Sequence, residues 1–111
     1  MEIISKKENR TYGIKIKAEE DGNLLGWAYL YIMYNDLHKE PFGFMENVFV
    51  KEESRGKGVG SKLIESIISE AKKQNCYKII CTSRYSNDKV HPLYAKFNFK
   101  DYGKEFRLDL S

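Results

Sequence analysis

A short stretch in the middle of the chain limits what it can fold into more than any other: Arg55-Gly56-Lys57-Gly58-Val59-Gly60-Ser61-Lys62. It follows the apolar run Asn47-Val48-Phe49-Val50 and opens an apolar-periodic stretch from Leu63 to Ala71. The order is strand, glycine-rich turn, helix. Glycines at 56, 58 and 60 let the backbone turn and approach a ligand without a Cβ in the way. The turn feeds a helix N-terminus, whose unpaired N–H groups and dipole favour an anion. Arg55, Lys57 and Lys62 add positive charge. The segment is suited to holding phosphate.

Three phosphate-binding patterns compete for it. A P-loop needs G-x-x-x-x-G-K-[ST], and after Gly60 the order here is Ser61-Lys62-Leu63, with lysine and hydroxyl reversed. A dinucleotide fingerprint needs G-x-G-x-x-G, whereas Gly56, Gly58 and Gly60 give G-x-G-x-G, with no acidic residue ending a second parallel strand. The third pattern is met at every fixed position. Arg55-Gly56-Lys57-Gly58-Val59-Gly60 resembles the acetyl-CoA loop [QR]-x-x-G-x-[GA] of the GNAT superfamily of N-acetyltransferases. Upstream, Met45-Glu46-Asn47-Val48-Phe49-Val50-Lys51 resembles the family's fourth strand. Downstream, Asn87-Asp88-Lys89-Val90-His91-Pro92-Leu93-Tyr94 resembles N-x-x-A-x-x-L-Y, with Val90 in place of alanine. Tyr94-Ala95-Lys96-Phe97-Asn98-Phe99 resembles Y-x-x-x-G-F, with Asn98 in place of glycine. The resemblance runs from Gly43 to Leu110.

The resemblance implies an N-acetyltransferase that uses acetyl-CoA as co-substrate and needs no metal. In the family, two parallel strands part at a bulge before the glycine loop, and main chain left unpaired there holds the pantetheine arm. That role falls here to Val48, Phe49 and Val50, one N–H of which would polarise the thioester carbonyl. Arg55 and the loop Gly56, Lys57, Gly58, Val59, Gly60 and Ser61 would take the diphosphate, and Asn87 would add a contact. Tyr94 matches the family's tyrosine that protonates the departing thiolate, work suited to a weakly acidic phenol. Glu46 stands two and four residues before Val48 and Val50. Without an intervening bulge it shares their face, and it is the candidate base for the acceptor ammonium. A solvated strand carboxylate is the plainer reading of Glu46, and a core aromatic that of Tyr94. His91, three residues before Tyr94, reads better as a capping or packing histidine than as a second base. His38 lies in a polar loop and is given no role.

The chain of 111 residues has room for one domain, residues 1–111. A hydrophobic content of 41% with 14% aromatic residues supports a packed core. The net charge of +3 suits a polyanionic ligand, and Glu52, Glu53 and Glu65 interrupt the basic positions Lys15, Lys17, Lys51 and Lys57, which argues against nucleic acid. No apolar run is long enough to span a bilayer and Met1 to Lys6 has no signal-peptide layout, so the expected location is cytoplasmic. Cys76 and Cys81 are read as buried thiols rather than a disulfide.

Alternation and turn residues predict strands over 11–18, 24–34, 42–51 and 77–83, a helix over 58–75, and a short helix with Pro92 at its first position. Asn98 ends that helix, because asparagine tolerates the left-handed conformation. Gly26 inside a strand marks a bulge or a close backbone neighbour. A terminal strand pair is expected over 99–102 and 105–110. The fold class is α+β: a mixed, mostly antiparallel sheet with packed helices, a GNAT-like acyltransferase fold without the usual first two helices. A turn at 19–23 stands where the family has that helix pair, so the acceptor groove is expected to be open. Trp27, Tyr29, Tyr31 and Tyr34 would line it, unless they merely pack on the sheet. An open groove suits an amine of a protein or peptide, or a homodimer that completes the site; the acceptor itself is an amine of a small molecule or of a protein or peptide. A non-catalytic CoA-binding module is the competing function, favoured by the missing lid and opposed by Tyr94 and Glu46.

Overall fold

The computed structural model describes residues 1–111. The chain divides into two compact units, residues 1–81 and 82–111. In the first, strand β1 (Tyr12–Glu20) turns at Asp21-Gly22 into β2 (Asn23–Met33). Both turn residues have positive φ, at 50° and 79°, which suits the Asp-Gly pair of a tight hairpin. Strand β3 (Phe42–Val50) follows, then a 3-10 turn at Glu52–Ser54, helix α1 (Val59–Lys73) and strand β4 (Ile79–Cys81). The sheet order is β1-β2-β3-β4, antiparallel except for the parallel pair β3-β4. Helix α1 joins those two strands, and parallel neighbours require such a crossover.

The core lies between α1 and one face of the sheet. Leu63, Ile64, Ile67 and Ala71 recur on one side of the helix, with Val59 at its start, and all are buried. They meet the alternate residues Ala28, Leu30 and Ile32 of β2 and Met45 of β3, which are buried too. Helical and strand periodicities therefore converge on one apolar layer. At Gly26 the β2 backbone lies close against β3. A Cβ there would run into the Phe49 carbonyl oxygen and lie 3.1 Å from the Val50 Cα.

The second unit holds one element, α2 (Val90–Lys96). Its Pro92 is the third helical residue, not the first as expected. The third N–H of a helix has no intrahelical acceptor, so proline is tolerated there as well. Asn98 follows the helix with φ 69°, the left-handed conformation expected of it. Two other expectations fail. Strand β4 covers only 79–81 rather than 77–83, although Tyr77 N–H still donates to the Pro41 carbonyl at 3.0 Å. The strand pair over 99–102 and 105–110 is absent. Phe106, Leu108 and Leu110 alternate as a strand face would, yet they are 90%, 83% and 91% exposed. Alternation marks a face that could be buried; a strand also needs a ladder partner for its main chain.

The close approach at Gly26 generates a test. Gly26→Ala has to push β2 and β3 apart, and should lower stability by about 1–3 kcal/mol, the usual cost of overpacking. An unchanged midpoint in urea would show that the two backbones are not in contact there.

Candidate active site

The site begins with a defect in β3. Tyr29 pairs with Glu46 and Trp27 pairs with Phe49, so two steps along β2 match three along β3. The extra residue makes a β-bulge, and Asn47 takes the strain with φ 50°. Asparagine is among the few residues besides glycine that enter this region readily. A bulge bends the strand and re-aims its side chains.

The bulge corrects the placement of Glu46. Residues directly opposite in an antiparallel pair share a face. Glu46 therefore shares its face with Tyr29, Trp27 and Phe49, while Val50, opposite Gly26, falls on the other. Glu46 does not share a face with Val50, as an unbroken strand would require. It is half-buried and forms no hydrogen bond or ion pair.

The parallel pairing of β3 with β4 runs only through Gly43–Ile79, Phe44–Ile80 and Met45–Cys81. Past Met45 the ladder stops, because β4 itself ends at Cys81. The main chain of Val48, Phe49 and Val50 lies beyond the last pair, with β2 on its other side through Trp27 and Gly26. One of its acceptors is engaged: Arg55 Nε donates to the Val50 carbonyl at 3.1 Å. This bond ties the start of the glycine loop back to the strand end.

Gly56 and Gly58 both have φ 79°, and a side chain at either would meet nothing within 4 Å. The loop therefore borders open space, with its backbone in a conformation that favours glycine. Gly58 is the N-cap of α1 and provides no side-chain cap. The first intrahelical bond is Lys62 N–H to the Gly58 carbonyl, at 3.1 Å. The N–H groups of Val59, Gly60 and Ser61 are left without helical acceptors, and no acidic residue stands in the first turn to satisfy them. Gly60 is a helical residue, so its role differs from that of Gly56 and Gly58. An opening with free N–H groups, no carboxylate, and Lys57 and Lys62 close in sequence fits a diphosphate.

At the end of β4, burial first and the Glu46 carboxylate second push the Cys81 thiol up to about 11. Cys76 is also raised by burial, and both cysteines are free. Trp27, Tyr29 and Tyr31 line one sheet face, with the Trp27 and Phe49 rings stacked at 4.7 Å between centroids. Tyr34 departs from that row: it follows β2, and Arg10 lies over its ring at 5.0 Å.

Asn87 and Tyr94 belong to the second unit. Asn87 closes a turn, donating its N–H to the Arg84 carbonyl at 3.0 Å and accepting from the Val90 N–H at 3.3 Å. Tyr94 is half-buried on α2, its ring 5.7 Å from that of Phe99. His91 is occupied locally, with Nε2 3.1 Å from both Ser83 Oγ and the Arg84 carbonyl. The residue that sequence reasoning missed is Asn47, whose only signal is an asparagine inside an apolar strand.

A sequence model described as the acetyltransferase (GNAT) family matches residues 2–99. A glucosamine 6-phosphate N-acetyltransferase of Trypanosoma brucei brucei is 35% identical over 68 residues, 61% of this chain and 44% of that protein. A D-amino-acid N-acetyltransferase of Saccharomyces cerevisiae is 31% identical over 81 residues, 73% of this chain and 50% of that one. The chain thus spans about half the length of these curated relatives. Among solved structures, an acetyltransferase of Trypanosoma brucei superposes with a TM-score of 0.79 at 29% identity, covering 88% of this chain and 69% of that chain.

Two outcomes follow from this geometry. Gly58→Ala meets no steric obstacle, so its cost is that of the left-handed backbone alone, roughly 1–2 kcal/mol; a urea midpoint equal to wild type would contradict the positive φ. Cys81 should resist iodoacetamide at pH 9 in the native state and react readily in urea. The unfolded thiol ionises near pH 8.5 and the folded one only near 11. Stability should therefore fall as the pH rises between these values. Equal alkylation rates in the native and unfolded states at pH 9 would refute the raised thiol.

Proposed function

The chain belongs to the GNAT family of acetyltransferases, and from that footing we propose that it transfers the acetyl group of acetyl-CoA directly to a primary amine, as a single domain over residues 1–111 working in the cytoplasm. The observation that carries the reading is a β3 that runs on past its last pair with β4, next to an uncapped, glycine-lined helix start. Acetyl-CoA supplies an activated acyl carbon: the amine nitrogen bonds to it and sheds its surplus proton to solvent, the C–S bond breaks, and the thiolate leaves with a proton.

The chain's own groups supply holding, orientation and proton transfer. The loop from Gly56 to Ser61, with Arg55 and Lys57, takes the diphosphate. The main chain of Val48, Phe49 and Val50 holds the pantetheine arm as an added strand would. An N–H from this segment donates to the thioester oxygen, where negative charge grows during attack. Glu46 takes the proton that an ammonium must lose, since the amine's ordinary pKa is near 10.4. Tyr94 returns a proton to the sulfur, and Asn87 contacts the cofactor. The roles of Tyr94 and Asn87 rest on the motif Asn87 to Tyr94, not on a measured distance. The names of the relatives, an amino sugar phosphate enzyme and an amino acid enzyme, support an amine acceptor in general.

Thiol release from acetyl-CoA, followed with a panel of amines, is the direct assay. Tyr94→Phe should lower kcat on the order of 10²-fold or more, the usual scale of general acid catalysis, with acetyl-CoA affinity unchanged. Full turnover in Tyr94→Phe would remove the proposed acid. Acetyl-CoA binding without thiol release for any amine would favour the non-catalytic module.

A further inference from the structure

We infer that the sheet face opposite α1 is the acceptor site and is built for a zwitterionic amino acid, with its ammonium at Glu46, its carboxylate at Lys15 and its side chain on the rings between them. The inference rests on the acyl-transfer reading above, since it names the acceptor of that reaction.

The register carries the argument. Lys15 pairs with Tyr29 across β1-β2, and Tyr29 pairs with Glu46 across β2-β3. The three residues form one row on one face. The next row along is Lys17, Trp27 and Phe49. The face therefore runs from cation through aromatic rings to anion. Ala28, Leu30, Ile32 and Met45, on the opposite face, are buried in the core layer with α1. This second face leaves Phe49 and Tyr31 each 37% exposed.

Neither charge has an ion-pair partner. Lys15 Nζ leans over the rings, 5.1 Å from the Trp27 centroid and 5.6 Å from that of Tyr29. It has no carboxylate partner, whereas its neighbour Lys17 pairs with Glu19 at 3.7 Å. Glu46 accepts no hydrogen bond and forms no ion pair, although it is half-buried. Strands β1 and β3 lie about 10 Å apart, twice the interstrand spacing, so the two charges flank β2 without meeting. The Trp27 indole N–H is buried with no acceptor, an unmet demand for an oxygen on the same face.

A plain cation would satisfy Glu46 and meet Lys15 as a like charge. A plain anion would do the reverse. An α-amino acid carries both charges on one carbon and hydrogen-bonds at each end, so it bridges the two sides. Its side chain then lies against the stacked Trp27 and Phe49 rings, which favours an apolar or aromatic one. The carboxylate that binds the ammonium is also the group that removes its proton: one N–H proton passes to Glu46, and the nitrogen lone pair is freed for attack.

Trp27 is the only tryptophan, so its fluorescence reads occupancy of this face without turnover. The probes are D- and L-phenylalanine, phenethylamine, which lacks the carboxylate, and 3-phenylpropionate, which lacks the ammonium. At least one enantiomer of phenylalanine should bind tenfold or more tightly than either analogue. Lys15→Ala, a change at an exposed position, should reduce phenylalanine to the level of phenethylamine and leave acetyl-CoA affinity unchanged. Glu46→Gln should reduce it to the level of 3-phenylpropionate. Phenethylamine binding as tightly as phenylalanine would overturn the inference in favour of a simple cation site. A silent titration with both enantiomers, in a protein that still binds acetyl-CoA, would overturn it outright. Failure of acetyl-CoA to bind would count instead against the acyl-transfer reading.

Discussion

One extra residue in β3 sets the geometry on which the rest depends. With Asn47 in the left-handed region, β3 keeps its pairing with β2 on both sides of the defect while its direction changes. The parallel ladder to β4 ends at Met45, just before the bulge. The β3 main chain beyond that point has no β4 residue to pair with. The same extra residue turns Glu46 onto the aromatic face and Val50 toward the core. A regular strand would have placed both on one side.

The strain of such a defect has to be held by its surroundings. Here the support is local and rigid. Gly26 lets the β2 backbone approach Phe49 and Val50 without a Cβ between them. Lys51 N–H donates to the Leu25 carbonyl at 2.9 Å, and Arg55 fastens the loop to the Val50 carbonyl. Helix α1 is anchored by its buried stripe, so its uncapped N-terminus is held in place beside the glycine loop. Packing positions the donors; the absence of acidic residues from the first turn leaves them for an anion.

Much of this was legible in the sequence, because the signals were chemical and local. The glycine turn, the helix stripe from Leu63 to Ala71 and the turn at 19–23 each follow from residue type and spacing. The close neighbour of Gly26 and the left-handed Asn98 were legible for the same reason. What escaped depended on partners distant in the chain. The bulge at Asn47 is a matter of register between β2 and β3, so an alternating reading put Glu46 on the wrong face. Residues 105–110 alternate as a strand does, but alternation does not reveal whether a ladder partner exists. Tyr34 looked like one more member of the aromatic row, yet it lies beyond the strand that orders the others. The Lys15-Tyr29-Glu46 row was invisible for the same reason, since its members are brought together only by pairing across three strands.

We propose that the main chain of 48–50 and the glycine-lined start of α1 together grip the diphosphate and arm of an acyl-CoA. Calorimetric titration with acetyl-CoA, free CoA and pantetheine tests it most directly. Such a grip gives a single site with similar affinities for acetyl-CoA and CoA, and binding of pantetheine weaker by about 100-fold or more, because the charge-assisted contacts to the diphosphate are lost. No heat with acetyl-CoA, or pantetheine binding as tightly as CoA, would contradict it.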